Sequence, residues 1–308
     1  MISRLSGVER DDPTELICFG LATKGDVLVE SSYPDKWEEC FNQNWRGLIV
    51  DDHPAKFARG VIQRIYAHAI ENGWLARNSR VIDPFGGIAL GGLDAMIQDV
   101  FWVGIELEEN FANIGKQNIL LWEGMLEWKK NLAVLMAGNS MELKKYVSGK
   151  IDICISSPPY ESSASGHGDY GIVGRDKLAG KKVTNFQYAE ASSKNLGNEK
   201  GDAFWSGARV ILEQCYELLK PGGYAIWNTK DYVRKGQRVP FSDTWLALCE
   251  DIGFILVCRH LATMVGVAQS IWIGEDKVKQ RKSFFRRLVE KQGAPKIDWE
   301  DIICMRKE

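Results

Sequence analysis

Seven cysteines are spread along 308 residues without a single C-x-x-C, and the nearest pair in sequence is Cys249 and Cys258. The four histidines form no ligand cluster along the chain. Neither a disulfide framework nor a zinc site is indicated, and reduced thiols in a cytoplasm are the simplest account. No apolar run approaches the ~20 residues of a membrane span, and the N-terminal residues lack the charged-then-apolar pattern of a secretory signal. Net charge is only -2, so no global positive field draws the chain to nucleic acid and any such attraction must be local. No internal repeat is visible. What remains is an ordinary soluble composition, 45% apolar and 26% charged, with length enough for one large domain or two modest ones around ample core.

The most informative stretch is Ser156-Ser157-Pro158-Pro159-Tyr160, closing the apolar run Ile151-Asp152-Ile153-Cys154-Ile155. Such a run ending at two prolines reads as a buried strand that stops at a sheet edge. Each proline fixes its own φ and lacks an N–H, so the corner is stiff and its carbonyls are free to accept. A hydroxyl, free carbonyls and an aromatic ring then stand together at the carboxyl end of a strand, where open α/β sheets bind ligands. That group suits a planar exocyclic amine whose base stacks on Tyr160. An isolated Pro-Pro-Tyr is more often a surface turn, so its neighbours in the sequence decide.

Upstream, His53-Pro54-Ala55-Lys56-Phe57 opens a helix whose Phe57, Val61, Ile62, Ile65, Tyr66 and Ala69 recur at helical spacing until Asn72-Gly73. Arg80-Val81-Ile82-Asp83 reads as a strand, followed by the glycine turn Pro84-Phe85-Gly86-Gly87 and a helix. Phe101–Glu106 is a second strand ending on an acid, and 132–137 a third, closed by Gly138-Asn139-Ser140. Beyond Tyr160 the residues from 161 to 206 are rich in Ser, Gly, Lys and Asn and read as a polar insertion. A helix over 210–219, a strand at 224–227, a helix around 244–251, strands near 254–258 and 270–273, and a closing strand at 301–305 complete the pattern. Strands alternating with helices predict an α/β fold: a mostly parallel, doubly wound sheet with helices on both faces. The expected organisation is an extension over 1–52 and one domain over 53–308, with a basic segment at 275–298.

Glycines at a strand-to-helix turn admit a ligand close to the backbone, and the helix start adds N–H groups. An acid at the next strand tip, Glu106, is where Rossmann-like folds bind a ribose diol. The turn is not G-x-G-x-x-G and follows Asp83-Pro84-Phe85, which argues against a dinucleotide phosphate loop.

Asp83-Pro84-Phe85-Gly86-Gly87, with His53-Pro54-x-Lys56 before it and Ser157-Pro158-Pro159-Tyr160 after it, resembles the amino-methylating DNA methyltransferases, which methylate cytosine N4 or adenine N6. The likeness is strong over 53–160, looser over 207–260 through Leu219-Lys220-Pro221-Gly222-Gly223-Tyr224, and returns in the closing strand. It implies a Rossmann-like methyltransferase fold and S-adenosyl-L-methionine as cofactor. Under the resemblance Asp83, Phe85, Gly86 and Gly87 form the pocket for the cofactor's methionine end, and Glu106 holds its ribose. His53 and Lys56 lie beside its amino-acid end. Asn139 stands where an acid commonly meets the adenine ring; an amide can also pair there.

The resemblance further implies direct transfer to a flipped-out base. Ser157 Oγ and the Pro158 carbonyl accept from its amine, localising a lone pair otherwise delocalised into the ring, while Pro159 stiffens the corner and Tyr160 stacks. No cysteine adjoins a proline, consistent with a mechanism that needs no covalent enzyme–base bond. Ser157 at the first motif position leans to cytosine N4, with adenine N6 the alternative. An RNA or protein-amide methyltransferase and a catalytically silent DNA-binding module are the remoter readings. DNA is the expected partner, and phosphate contacts are expected from Arg234, Lys235, Arg281, Lys282, Arg286 and Arg287. No metal is expected.

Overall fold

In the computed structural model, residues 33–41, 47–50, 57–126, 129–161, 196–234, 236–268, 277–280, 293 and 295–308 are described. His53, Lys56, Lys235, Arg281, Lys282, Arg286 and Arg287 lie outside these residues, as do the strand expected at 270–273 and most of the polar insertion. The strands in chain order are β1 (Cys40–Phe41), β2 (Arg80–Asp83), β3 (Phe101–Glu106), β4 (Ala133–Ala137), β5 (Ile151–Ser156), β6 (Leu219–Thr229), β7 (Tyr232–Arg234), β8 (Gln237–Val239), β9 (Phe254–Ala262), β10 (Met264–Ala268), β11 (Lys277–Gln280) and β12 (Glu300–Lys307). The α-helices are α1 (Arg59–Glu71), α2 (Leu90–Ile97), α3 (Glu109–Met125), α4 (Asp202–Leu218) and α5 (Phe241–Ile252).

Seven strands make the main sheet in the order β4-β3-β2-β5-β6-β12-β9. All neighbouring pairs from β4 to β6 are parallel, and β12 alone runs against its neighbours β6 and β9. The chain lays β2, β3 and β4 outward in one direction, then returns to place β5 on the other side of β2. The reversal leaves a crevice at the carboxyl tips of β2 and β5, the point where doubly wound sheets bind ligands. This is the mostly parallel, doubly wound α/β sheet that the alternation of strands and helices predicts.

Strand alternation divides the core into two layers, because successive side chains leave a strand on opposite faces. Val81, Ile153, Ile155, Ile226, Ile302 and Cys304 pack in one buried cluster with residues of α1, α2 and α3. Ile82, Cys154, Ala225, Trp227, Ile303 and Met305 belong to a second cluster with residues of α4 and α5. Both faces of the sheet are therefore buried, which explains the near-continuous apolar runs of β2 and β5.

Several boundaries differ from the sequence reading, including the start of α1 at Arg59 and the end of β9 at Ala262, and two have a clear local reason. Helix α4 begins at Asp202, two turns before the expected 210. Phe204 and Ala208 extend its buried stripe backward, and Gly207 fits because a Cβ there would lie 2.5 Å from Met141 Cε. Strand β6 includes Lys220-Pro221-Gly222-Gly223 instead of starting after it, accommodated by a register shift against β5 and a left-handed Gly222. The hairpin β7–β8 was not expected at all. None of the helices among the described residues is long and apolar enough to cross a membrane.

Candidate active site at the strand tips

Asp83 ends β2 with its side chain 6% exposed. Its Oδ1 accepts the Phe85 N–H at 3.0 Å, closing a tight turn into the glycine loop, and also accepts the hydroxyl of Ser156, the last residue of β5. Burial pushes the Asp83 carboxyl up to about 6, against the two hydrogen bonds that favour its charged form. The acid of the glycine loop and the start of the diproline corner are thus one bonded unit across the β2–β5 crevice. Ser157 is half-buried, Pro158 buried, and Pro159 and Tyr160 half-buried beyond it.

Glu106 at the tip of β3 is the second carboxylate. Its Oε2 accepts the Gly87 N–H at 2.9 Å and its Oε1 the Glu108 N–H at 2.8 Å. Burial nevertheless raises it to about 7, opposed by these two bonds, while the charges of Glu108 and Asp83 add to the rise. Burial is the dominant cause of both shifts. The crevice is therefore anionic when both ionise, with lone pairs left on each carboxylate for further donors.

The glycine loop is fixed by packing as much as by any ligand. The Gly86 N–H donates to the Ile105 carbonyl at 2.8 Å. A Cβ on Gly86 would stand 2.6 Å from Leu135 Cδ1 and 3.2 Å from the Gly104 backbone. Gly87 has φ 51°, a conformation glycine adopts without strain. Phe85 packs on the α4–α5 layer. Asn139, half-buried after β4, accepts the Met141 N–H through its side chain at 3.0 Å, and Ser140 Oγ donates to the Pro84 carbonyl at 2.5 Å. The β4 tip is thereby tied to the glycine loop.

Tyr160 leads into an aromatic wall. Its ring meets Phe241 edge-on at 5.0 Å and Tyr232 at 5.8 Å, and Phe241 in turn contacts Trp205 and Trp245. Burial and the nearby Glu300 and Asp231 hold the Tyr160 phenol far above its ordinary value. The next residue, Glu161, accepts from Arg234 Nη1 at 2.8 Å, and Arg238 Nε donates to Asp231 at 2.6 Å. The Arg234 guanidinium also lies over the Tyr232 ring. Arg234, expected to meet phosphate, is ion-paired with Glu161, the residue after the corner.

Four site residues escaped the sequence reading. Ser156 was treated as the end of a strand; its position beside the glycine loop follows only from β5 returning to pair with β2. Trp205, Tyr232 and Phe241 come from 45, 72 and 81 residues beyond Tyr160 in the chain, and no spacing links them to it.

No family model and no curated protein matches the chain. Among solved structures it is similar to TrmN from Thermus thermophilus, with 14% identity and a TM-score of 0.45 over 83% of this chain and 50% of that one. It is also similar to precorrin 8w decarboxylase from Methanobacterium thermoautotrophicum, at 13% identity and TM-score 0.49, covering 83% and 96% of the two chains. A third likeness is to magnesium protoporphyrin IX methyltransferase from Synechocystis PCC 6803 with bound SAH, at 10% identity and TM-score 0.47, covering 86% and 92%. The chain spans half the length of TrmN.

Proposed function

We propose that this protein is an S-adenosyl-L-methionine-dependent methyltransferase that modifies the exocyclic amine of a DNA base, cytosine N4 before adenine N6. The observation that carries the reading is the Ser156–Asp83 bond, which puts the diproline corner and the glycine loop on the two sides of one crevice. A catalytic corner and a cofactor loop that did not share a cleft could not exchange a methyl group.

The residues fit such a cofactor. Two carboxylates raised chiefly by burial suit a ligand that brings positive charge. Glu106 has the chemistry for a ribose diol, since it already accepts two N–H donors at its strand tip. Asp83, Phe85, Gly86 and Gly87 would hold the methionine end and Asn139 the adenine. When bound, the cofactor supplies an electrophilic methyl on a sulfonium sulfur.

The chain's own residues supply position. Ser157 Oγ and the Pro158 carbonyl accept from the base amine, drawing its lone pair out of the ring and toward the methyl donor. The fixed φ of Pro158 and Pro159 keeps those acceptors from relaxing away. Tyr160 stacks on the extruded base, its own ring braced by Phe241 and Tyr232.

Incubation with methyl-labelled cofactor and unmodified duplex DNA, followed by digestion and mass spectrometry of the nucleosides, tests the proposal. N4-methylcytosine is the expected product. N6-methyladenine would correct the base while keeping the mechanism; label confined to RNA or protein, or no cofactor binding, would overturn it.

A further inference from the structure

On the face of the sheet that packs against α1, four metal-ligating side chains converge that the methyltransferase reading leaves unused. They are His68 near the end of α1, Cys258 and His260 on β9, and Cys304 on β12, and their ligand atoms all lie within 4.8 Å of one another. We propose that these four residues bind one zinc ion in a closed Cys2His2 site that pins α1 to the last two strands of the sheet. This assignment does not depend on the catalytic reading of the strand tips.

The architecture explains the convergence. Cys258 and His260 are two apart on β9, so their side chains leave the strand on the same face. Cys304 is directly opposite Cys258 in the antiparallel register of β12, and His260 is opposite Ile302. His68 comes down from the last turn of α1, almost 200 residues away in sequence. The sequence offers no C-x-x-C or H-x-x-x-H because the site is assembled by topology; the only local trace is Cys258-x-His260. The sequence reading that the histidines form no ligand cluster is therefore corrected: two of the four stand together with two cysteines.

The distances suit a single tetrahedral ion. His260 Nε2 lies 3.2 Å from Cys258 Sγ and His68 Nε2 3.5 Å from the same sulfur. Ligands around tetrahedral zinc, at Zn–N of ~2.0–2.1 Å and Zn–S of ~2.3 Å, stand about 3.3–3.8 Å apart. A two-iron cluster with two cysteines on one iron and two histidines on the other needs its ligand pairs spread across two metals, whereas these four ligand atoms all lie within 4.8 Å of one another. Two thiolates with two imidazoles is a zinc set, and four protein ligands leave no open position for substrate, which marks a structural site.

The surroundings are those of a built site. His260 stacks on Trp37 at 4.8 Å, and His68 meets Trp74 edge-on at 5.0 Å, with Trp74 backed by Tyr224. These rings flank the cluster, in which His68 and Cys304 are buried and Cys258 and His260 half-buried. Asn72 Nδ2 donates to the His68 carbonyl at 2.8 Å and lies 3.2 Å from His68 Nδ1, so the carboxamide is fixed beside the ring. Cys258 and Cys304 are both free thiols.

The test uses the full chain, purified under reducing conditions from zinc-supplemented cells. Elemental analysis is expected to give one zinc per chain. Cobalt substitution should yield the intense visible bands of a tetrahedral ion and near-ultraviolet thiolate charge transfer. A chelator should lower the thermal midpoint of the wild type, and added zinc should restore it. Cys304→Ser and His260→Gln should lose the metal, while Cys249→Ser, a buried free thiol in the α4–α5 layer, keeps it. Should a variant fail to fold, the metal content and chelator response of the unmutated protein still decide. A metal-free protein indifferent to zinc and chelator, a Cys258–Cys304 disulfide in the isolated protein, or stoichiometric iron would overturn the proposal.

Discussion

Ser156 and Asp83, 73 residues apart, meet at the reversal point of the sheet, the serine hydroxyl donating to the buried carboxylate. That bond couples the loop proposed to hold the cofactor to the corner proposed to hold the base. The adjacent serines therefore have separable tasks. Ser156→Ala removes a donor to a charged group and should cost about 1.5–3 kcal/mol of stability, raise the Asp83 carboxyl further, and weaken cofactor binding. Ser157→Ala should leave the fold and cofactor affinity unchanged and lower kcat at least about tenfold. Calorimetric binding of the cofactor and single-turnover methyl transfer distinguish the two; equal kinetic profiles for both variants would remove the division of labour.

The same carboxylates give a pH dependence with a definite sign. Burial raises Asp83 to about 6, so the folded chain holds its proton at pH values where the unfolded chain has released it. Stability therefore falls as pH climbs from about 4 through about 6, by about 3 kcal/mol from this group. Urea denaturation across that range should show the decline, and Asp83→Asn should flatten it. Cofactor binding runs the other way. Glu106, raised to about 7, must ionise to accept ribose hydroxyls, so affinity should increase as pH rises through about 7 with release of a proton. Calorimetry in buffers of different ionisation enthalpy measures that proton, and Glu106→Gln should abolish it.

Gly86 separates packing from ligand contact. Its Cβ would meet Leu135 at 2.6 Å and the Gly104 and Ile105 backbone at 3.2 Å, and backbone cannot rotate away. Gly86→Ala should destabilise by about 1–3 kcal/mol even without cofactor. Gly86→Ala combined with Leu135→Ala should recover part of the loss, because the nearest clash is with that side chain. Thermal melts of the three variants provide the check. No recovery in the double variant would place the strain in the backbone alone.

How much of this was legible in the sequence depends on whether a feature is local. The strands β2, β3 and β5, with Asp83 and Glu106 at two of their tips and Ser157 just beyond the third, follow from apolar runs cut by Gly and Pro, whose chemistry acts within a few residues. The doubly wound sheet follows from alternation of elements. Contacts made by topology were invisible: Ser156 on Asp83, Phe241 behind Tyr160, and His68 beside Cys258 join segments 73, 81 and 190 residues apart. The pairing of Arg234 with Glu161 was hidden for the same reason, since a run of basic residues carries no sign of the acid that will face it. Helix α4 runs back to Asp202, into the stretch that composition marks as a polar insertion, because Phe204 and Ala208 carry its buried stripe and Gly207 lets Met141 and Leu196 approach.

Tyr160 is the residue whose role is easiest to dissect, because its hydroxyl and its ring do different things. The ring touches Phe241 and Tyr232, and burial keeps the phenol protonated far above its ordinary range. The hydroxyl therefore takes no part in proton transfer near neutral pH. Tyr160→Phe should retain most methyl transfer with an unchanged pH profile. Tyr160→Ala removes the stacking surface, which is worth about 1–3 kcal/mol per base, and should raise KM for DNA by roughly 5- to 150-fold while cofactor affinity holds. Phe241→Ala should reproduce part of that defect by letting the Tyr160 ring tilt, since it acts only as a brace. Fluorescence of 2-aminopurine at the target position reports base extrusion directly. A Tyr160→Ala enzyme that still extrudes and binds the base as the wild type does would show that the ring is a wall of the core and not a platform for substrate.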